Sequence, residues 1–295
     1  MPCGMVGLQS VTVRQKVFVG GGVTDSIYGD DQRTVHEYHP PTDQWVSLPL
    51  YKHVRFAMAI LADKLTLVGG ISTPTMEVTN QIAVWEEEGV SRGWTYPYPP
   101  MTTPRYSPAV ATYDRWLVVA GGYSGEPLAT VEVLDTTSHQ WMPTTQLPVK
   151  GYNMTSAIID QEWFLVGGSL ATEALVVSLP DIIPSSVHSA TTHRSTQWRT
   201  ILAPPLEYSA ATALCGSVVA IGGLHGKERS TAIFVYQPAT NIWNKVGDSP
   251  SARSHCSCTI LPSSEILVLG GYDSKDKRSC RVDSAAFPEH RRKQI

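Results

Sequence analysis

The feature that most constrains this chain is an apolar run closed by a glycine pair. It recurs at Gly21-Gly22, Gly69-Gly70, Gly121-Gly122, Gly167-Gly168, Gly222-Gly223 and Gly270-Gly271. Between second glycines the intervals are 48, 52, 46, 55 and 48 residues. A tryptophan follows each of the first five pairs: Trp45, Trp94, Trp141, Trp198 and Trp243. Tyr38, Trp85, Asp135 and Tyr236 stand ahead of four of these tryptophans, where a third strand would end. The stretch Met101–Trp141 holds one whole unit. A Pro-Arg turn opens an alternating run (Ser107–Tyr113), Asp114-Arg115 turns it into Trp116–Ala120, and a third run (Thr130–Leu134) and a polar turn lead to Trp141. Short runs of this kind between turn residues predict a four-stranded antiparallel meander.

A period near 50 residues, four strands per unit and a diglycine are the marks of kelch repeats. At these residues the chain resembles the kelch family over about 290 of its 295 residues. The resemblance implies an all-β, six-bladed β-propeller of four-stranded antiparallel kelch repeats. One sheet alone buries a single face well, so blades must stack, and radial stacking closes a ring with only short, protected edges. The runs VFVGGG, LTLVGG, WLVVAGG, WFLVGG, VVAIGG and ILVLGG are nearly continuous apolar stretches, which suits strands covered on both faces. We expect them innermost, with glycines permitting close approach of neighbouring backbones. The repeat tryptophan should bury its surface against the next blade.

A single propeller over 1–295 is the expected organisation, with blades at about 1–50, 51–100, 101–148, 149–204, 205–249 and 250–288, then a basic tail at 289–295. The longest interval falls in blade 4, where Pro180–Thr196 (PDIIPSSVHSATTHRST) reads as an exposed, mobile loop and a candidate docking or phosphorylation site. Blade 6 departs from the pattern. It offers three candidate strands (Cys256–Leu261, Glu265–Leu269, Ser279–Ala285) and no following tryptophan, so the last blade lacks its outer strand. The chain opens at a first-strand position, so either the ring closes with a three-stranded last blade or an upstream tryptophan-bearing strand supplies the missing one, and the second is the expectation.

Net charge is −3, which argues against nucleic acid or an anionic membrane surface as partner. No run approaches the 18 or so apolar residues of a membrane helix, and the N-terminal residues show no secretory signal pattern. The five cysteines, at 3, 215, 256, 258 and 280, form no C-x-x-C pair, and a reducing, cytoplasmic compartment is expected. The sequon Asn153-Met154-Thr155 carries no weight in such a compartment.

Family resemblance places the recognition face on loops joining second to third strands and on those leading into first strands. Loops on a rigid scaffold concentrate binding residues. In this chain they supply Asp25, Tyr28, Tyr123, His225 and Tyr272 from the first set, and Arg55, Arg105, Tyr106, Tyr152, Asn153, Tyr208, Arg253 and His255 from the second. Arginine forks carboxylates and tyrosine offers rigid amphipathic area, so the set would suit an acidic peptide. No phosphate loop, nucleophile elbow or H-x-x-x-H zinc pattern is found. Two kelch-type enzyme patterns also fail. A copper oxidase needs a Tyr–Cys pair with clustered histidines, and the iron motif E-x-x-x-D-x-x-x-H is one residue short at Glu132-x-x-Asp135-x-x-x-His139. The expectation is a protein–protein recognition module without an enzymatic reaction, cofactor or metal, and the family resemblance implies the recognition part of a larger assembly such as a ubiquitin-ligase adaptor or signalling scaffold. The alternatives are a metal- or small-molecule-dependent enzyme at the channel mouth and an actin-type cytoskeletal binder.

Overall fold

Each glycine-closed run is the second strand of its own antiparallel sheet. The computed structural model describes residues 1–24, 35–87, 92–170, 173–183, 198–204 and 206–285. Blade 1 runs through strands Gln9–Val13, Lys16–Gly20, His36–His39 and Gln44–Ser47, and blade 2 through Ala57–Leu61, Lys64–Val68, Ile82–Glu86 and Gly93–Thr95. Blade 3 holds Ala109–Tyr113, Trp116–Ala120, Val131–Asp135 and Gln140–Pro143, and blade 4 holds Thr155–Ile159, Glu162–Val166, Glu173–Ser178 and Arg199–Leu202. Blade 5 has Ala210–Leu214, Ser217–Ile221, Glu228–Gln237 and the long Ile242–Arg253, while blade 6 has Ser257–Ile260, Ile266–Leu269 and Val282–Ala285. In all six sheets consecutive strands pair as neighbours, with a short ribbon (Leu224–His225) added in blade 5, so this is a six-bladed propeller of meanders. Among the described residues the last blade has three strands.

The radial order corrects one expectation. The six first strands, not the glycine-closed runs, pack against one another around the axis. They enclose a channel of about 260 Å³ whose wall includes Ser10, Thr12, Thr112, Ser156, Thr212, Ser257 and Thr259. The second strands are continuously apolar because they lie inside the sheets, sandwiched between adjacent blades. Each joint has its own core. Phe18, Phe56 and Leu67 fill that of blades 1 and 2; Met5, Leu8, Val17, Leu267 and Leu269 fill that of blades 6 and 1. The ring is therefore closed by an apolar core of its own, as each internal joint is.

The repeat tryptophans face the other way from the expectation. Trp94 Nε1 donates to Pro49 O at 2.8 Å, Trp141 Nε1 to Pro99 O at 2.8 Å and Trp243 Nε1 to Leu202 O at 2.7 Å. Pro49 and Pro99 lie just past the outer strand of the preceding blade and Leu202 is the last residue of one, so the indole seals the joint behind it. The ring needs a flat apolar surface, and in these three blades its one N–H finds a carbonyl where that strand ends, whereas the buried Trp198 Nε1–H has no acceptor among the described residues.

The glycine pairs do what close approach requires. Gly69 has φ +64°, and a Cβ there would overlap the Arg105 carbonyl oxygen of blade 3; the Gly70 amide donates to that same oxygen at 2.9 Å. In the 180–196 stretch, the described part is not an exposed loop. Leu179–Ile182 forms one helical turn whose Leu179 and Ile182 are buried in the joint of blades 3 and 4, and residues 184–196 lie outside the described residues.

Candidate functional site

Two residues before each first strand the backbone turns through a left-handed conformation. The six equivalent positions are Gly7, Arg55, Ser107, Asn153, Tyr208 and His255, with φ of 64°, 56°, 48°, 54°, 51° and 54°. Amides of this ring donate to carbonyls of the same position one blade back: Ser107 to Arg55 (2.7 Å), Asn153 to Ser107 (3.0 Å), His255 to Tyr208 (3.0 Å) and Gly7 to His255 (2.9 Å). The left-handed turn points each carbonyl at the next blade. The same geometry throws the side chains onto one face, around the channel mouth.

On that face the aromatic residues form an arc. Tyr106 lies 5.2 Å from Tyr123 between ring centroids, and Tyr123 lies 5.4 Å from Tyr152. Tyr208 stacks on His255 at 4.2 Å, and His255 meets Tyr272 edge-on at 5.8 Å. Burial, with Tyr152 nearby, pushes the Tyr208 phenol above its ordinary range. Arginines cap both ends: the Arg55 guanidinium sits 5.8 Å from the Tyr106 centroid, and that of Arg229 sits 5.3 Å from Tyr272. All eight side chains are half-buried, as rigid rings supported from below should be. Burial, with Arg229 and Arg55 nearby, holds the His255 imidazole down at about 4, so it is neutral at pH 7.

The structure thus brings together Arg55, Tyr106, Tyr123, Tyr152, Tyr208, His255 and Tyr272, with Asn153 on the same turn ring. His225 is exposed in the short ribbon with Glu228 and Arg229. Asp25 and Tyr28 lie outside the described residues.

Arg105 and Arg253 are a correction. They are 0% and 1% exposed and face the interior of their own blades. Arg105 donates to Gly121 O (2.7 Å) and Thr130 O (3.1 Å) and pairs with Glu132. Arg253 donates to Gly270 O (3.1 Å) and Arg281 O (3.0 Å) and pairs with Asp283 at 2.5 Å. Each guanidinium satisfies the carbonyls where the glycine-closed strand ends and the third strand begins. Neither is available to a ligand. Their place in the repeat is two residues before that of Arg55, an offset hidden by the similar spelling of the three segments. Conversely, Arg229 was missed, because only the tertiary fold lays it over Tyr272.

Among the described residues no cluster of three His, Cys, Asp or Glu side chains could hold a metal ion. No helix among them is long and apolar enough to cross a membrane.

A family model, the KLHDC2/KLHL20/DRC7 kelch-repeats domain, matches residues 55–271. Kelch-like protein 23 of Mus musculus is 24% identical over 245 residues, covering 81% of this chain and 41% of the relative. Kelch-like protein 35 of Mus musculus is 24% identical over 251 residues, 83% of this chain and 40% of its own length. Kelch repeat and BTB domain-containing protein 1 of vaccinia virus (strain Copenhagen) is 26% identical over 155 residues, 52% of this chain and 27% of the viral protein. The chain thus spans about two fifths of the length of the Kelch-like relatives it matches. Among solved structures, that of YjhT superposes with a TM-score of 0.77 over 98% of this chain and 97% of its own, at 12% identity, a likeness of fold alone.

Proposed function

Because the chain belongs to the kelch-repeat family, we propose that it is a recognition module that grips a segment of a protein partner across the channel mouth. The observation that carries this reading is the pair of aromatic runs on one face, Tyr106–Tyr123–Tyr152 with Arg55 and Tyr208–His255–Tyr272 with Arg229. It presents tyrosine and arginine, residues enriched where binding energy concentrates, together with His255, on turns around the channel mouth. An extended segment with apolar groups for the rings and an acidic group for the arginines fits it. The greater length of the relatives, and the BTB domain in the name of the viral one, support a finer role as the recognition part of a larger assembly such as a ubiquitin-ligase adaptor. Five free thiols, two of them exposed, suit a reducing, cytoplasmic setting.

The test is capture of partners by the tagged chain, identified by mass spectrometry, against a Tyr123→Ala, Tyr208→Ala variant of matched melting temperature. Asp63→Ala, in the turn between first and second strands of blade 2, serves as control. Partners lost with the arc variant and kept with the control support the reading. Partners kept equally by all three chains place binding elsewhere and end it.

A further inference from the structure

The first strands run from the turn ring to hairpin tips at the opposite end of the propeller. There the joint of blades 1 and 2 opens into a cleft of about 480 Å³, lined by Val13 and Phe18 of one blade and by Leu65 and Trp85 of the other. Phe18, Leu65 and Trp85 belong to the apolar core of that joint. Blade 3 shows why the space is there. Its first hairpin is closed by the facing pair Tyr113 and Trp116, and both rings pack into the core shared with blade 4. In blade 1 the same two places hold Val13 and Lys16. The Lys16 ammonium is taken up by Glu37 at 3.0 Å and by Glu87. A phenol and an indole are thus replaced by smaller or polar groups in a place that interiors otherwise fill to close packing. What remains is room for a flat ring.

The charges at the rim divide into engaged and free. Lys16 holds Glu37 and Glu87, and Lys64 meets Glu86 at 2.7 Å. Arg14 and Asp63 also line the cleft, one on the hairpin tip of blade 1 and the other on that of blade 2. Both are exposed, and among the described residues neither makes an ion pair, with the other or with any neighbour. An unpaired cation and an unpaired anion therefore stand on opposite walls of one cleft. Its floor is also incomplete in hydrogen bonding. Trp85 is 3% exposed, and its buried Nε1–H has no acceptor among the described residues. Such donors are rare in folded proteins.

We propose that this cleft binds a small zwitterion bearing an aromatic ring, of the class of the aromatic amino acids. The ring enters the place where blade 3 carries its own indole, the carboxylate meets Arg14 and the ammonium meets Asp63. A guanidinium fork matches a carboxylate, and a ring over Phe18, Leu65 and Trp85 gains aromatic contact beyond its area. A ligand with one charge would leave Arg14 or Asp63 unanswered. The volume falls within the range of small-molecule sites, about 300–1,000 Å³. Because the cleft lies at the far end of the first strands from the aromatic face, it works independently of that face.

The test is an NMR titration of the whole isotope-labelled chain with four unlabelled probes: L-tryptophan, indole-3-propionate, tryptamine and L-alanine. The readout is the Trp85 Nε1–H resonance, assigned by its loss in Trp85→Phe. L-tryptophan should give a saturable shift, and the probes lacking the ammonium, the carboxylate or the ring should each bind more weakly. Arg14→Gln and Asp63→Asn should each weaken L-tryptophan about 10-fold or more, since a charge-assisted hydrogen bond contributes on that scale. Asp63→Asn should leave indole-3-propionate unchanged, and Arg14→Gln should leave tryptamine unchanged. Val13→Tyr, of matched melting temperature, should block L-tryptophan by restoring one of the missing rings. Tyr123→Ala, Tyr208→Ala, on the other face, should bind it as the wild type does. No saturable shift with L-tryptophan, or the same affinity in the wild type and both tip variants, overturns the site. Binding of indole-3-propionate or tryptamine as tight as that of L-tryptophan overturns the zwitterion.

Discussion

The amide of Gly7, in the first blade, donates to the carbonyl of His255, in the last, at 2.9 Å. This bond continues the turn ring across the seam where the chain's two ends meet. Ser10 with Ser257 (2.7 Å) and Thr12 with Thr259 (2.8 Å) extend the joint down the channel wall, and Gly271 N to Met5 O (2.8 Å) completes it above. Closure is thus made by main chain and hydroxyls over the core of Met5, Leu8 and Leu269. Gly7→Pro removes the donor and fixes φ on the wrong side of zero, and should cost about 3 kcal/mol or more. Gly7→Ala, with open space but φ +64°, should cost about 1 kcal/mol. Urea unfolding of the two variants measures the difference.

The buried pair of Arg105 and Glu132 is expected to behave as a unit. Removing one partner in Arg105→Met or Glu132→Leu strands a charge in the blade and should cost about 3–5 kcal/mol. The double variant should recover much of that loss. A double-mutant cycle in denaturant reads the coupling directly, and additive losses would contradict it.

Glycine substitution should split sharply by position. Gly69→Ala drives a methyl into the Arg105 carbonyl at positive φ, and should exceed the cost of conformation alone by several-fold. Gly125→Ala, also at positive φ but with nothing within 4 Å, should lose only about 1 kcal/mol. Parallel thermal melts compare them.

Stability should depend on pH through His255. Its folded pKa of about 4 lies below the ordinary imidazole value of 6.5, so between those values the unfolded chain binds more protons. Stability is then full above pH 6.5 and falls as pH drops toward 4, by at most about 3 kcal/mol. Burial lowers His53 as well, so it acts in the same direction. His255→Gln should flatten the slope of melting temperature against pH while leaving the His53 share. An unchanged slope would refute the assignment.

Thiol reactivity should follow burial. Burial pushes Cys256 up to about 11 and Cys258 well above the usual thiol range, whereas Cys215 and Cys280 are exposed. Iodoacetamide on the native chain should label Cys215 and Cys280 first and spare Cys256 and Cys258 until denaturant is added, as peptide mass spectrometry will show.

Much of the architecture was legible in sequence because each repeat signal has one physical cause. A glycine pair recurs where carbonyls of the next blade press on the chain, as Arg105 O does on Gly69 and Gly70. The site was legible only in part. Tyr106, Tyr123, Tyr152, Tyr208, His255 and Tyr272 stood in the expected loops and do converge. Arg55, Arg105 and Arg253 looked alike and are not, because a two-residue offset at a left-handed turn separates a side chain on the face from one inside the blade. Arg229 could not be chosen from its segment, since its partner Tyr272 belongs to the next blade.

By itself, the sequence determined the number of blades, the strand pattern within each and the residues that recur at each turn, because these depend on local periodicity and on backbone conformations few residues adopt. The tertiary structure decided which strand lines the channel, which way each tryptophan turns and which arginines meet solvent. Those outcomes depend on contacts between residues a whole blade apart, where the packing of one sheet against the next, rather than any local preference, selects the direction of a side chain.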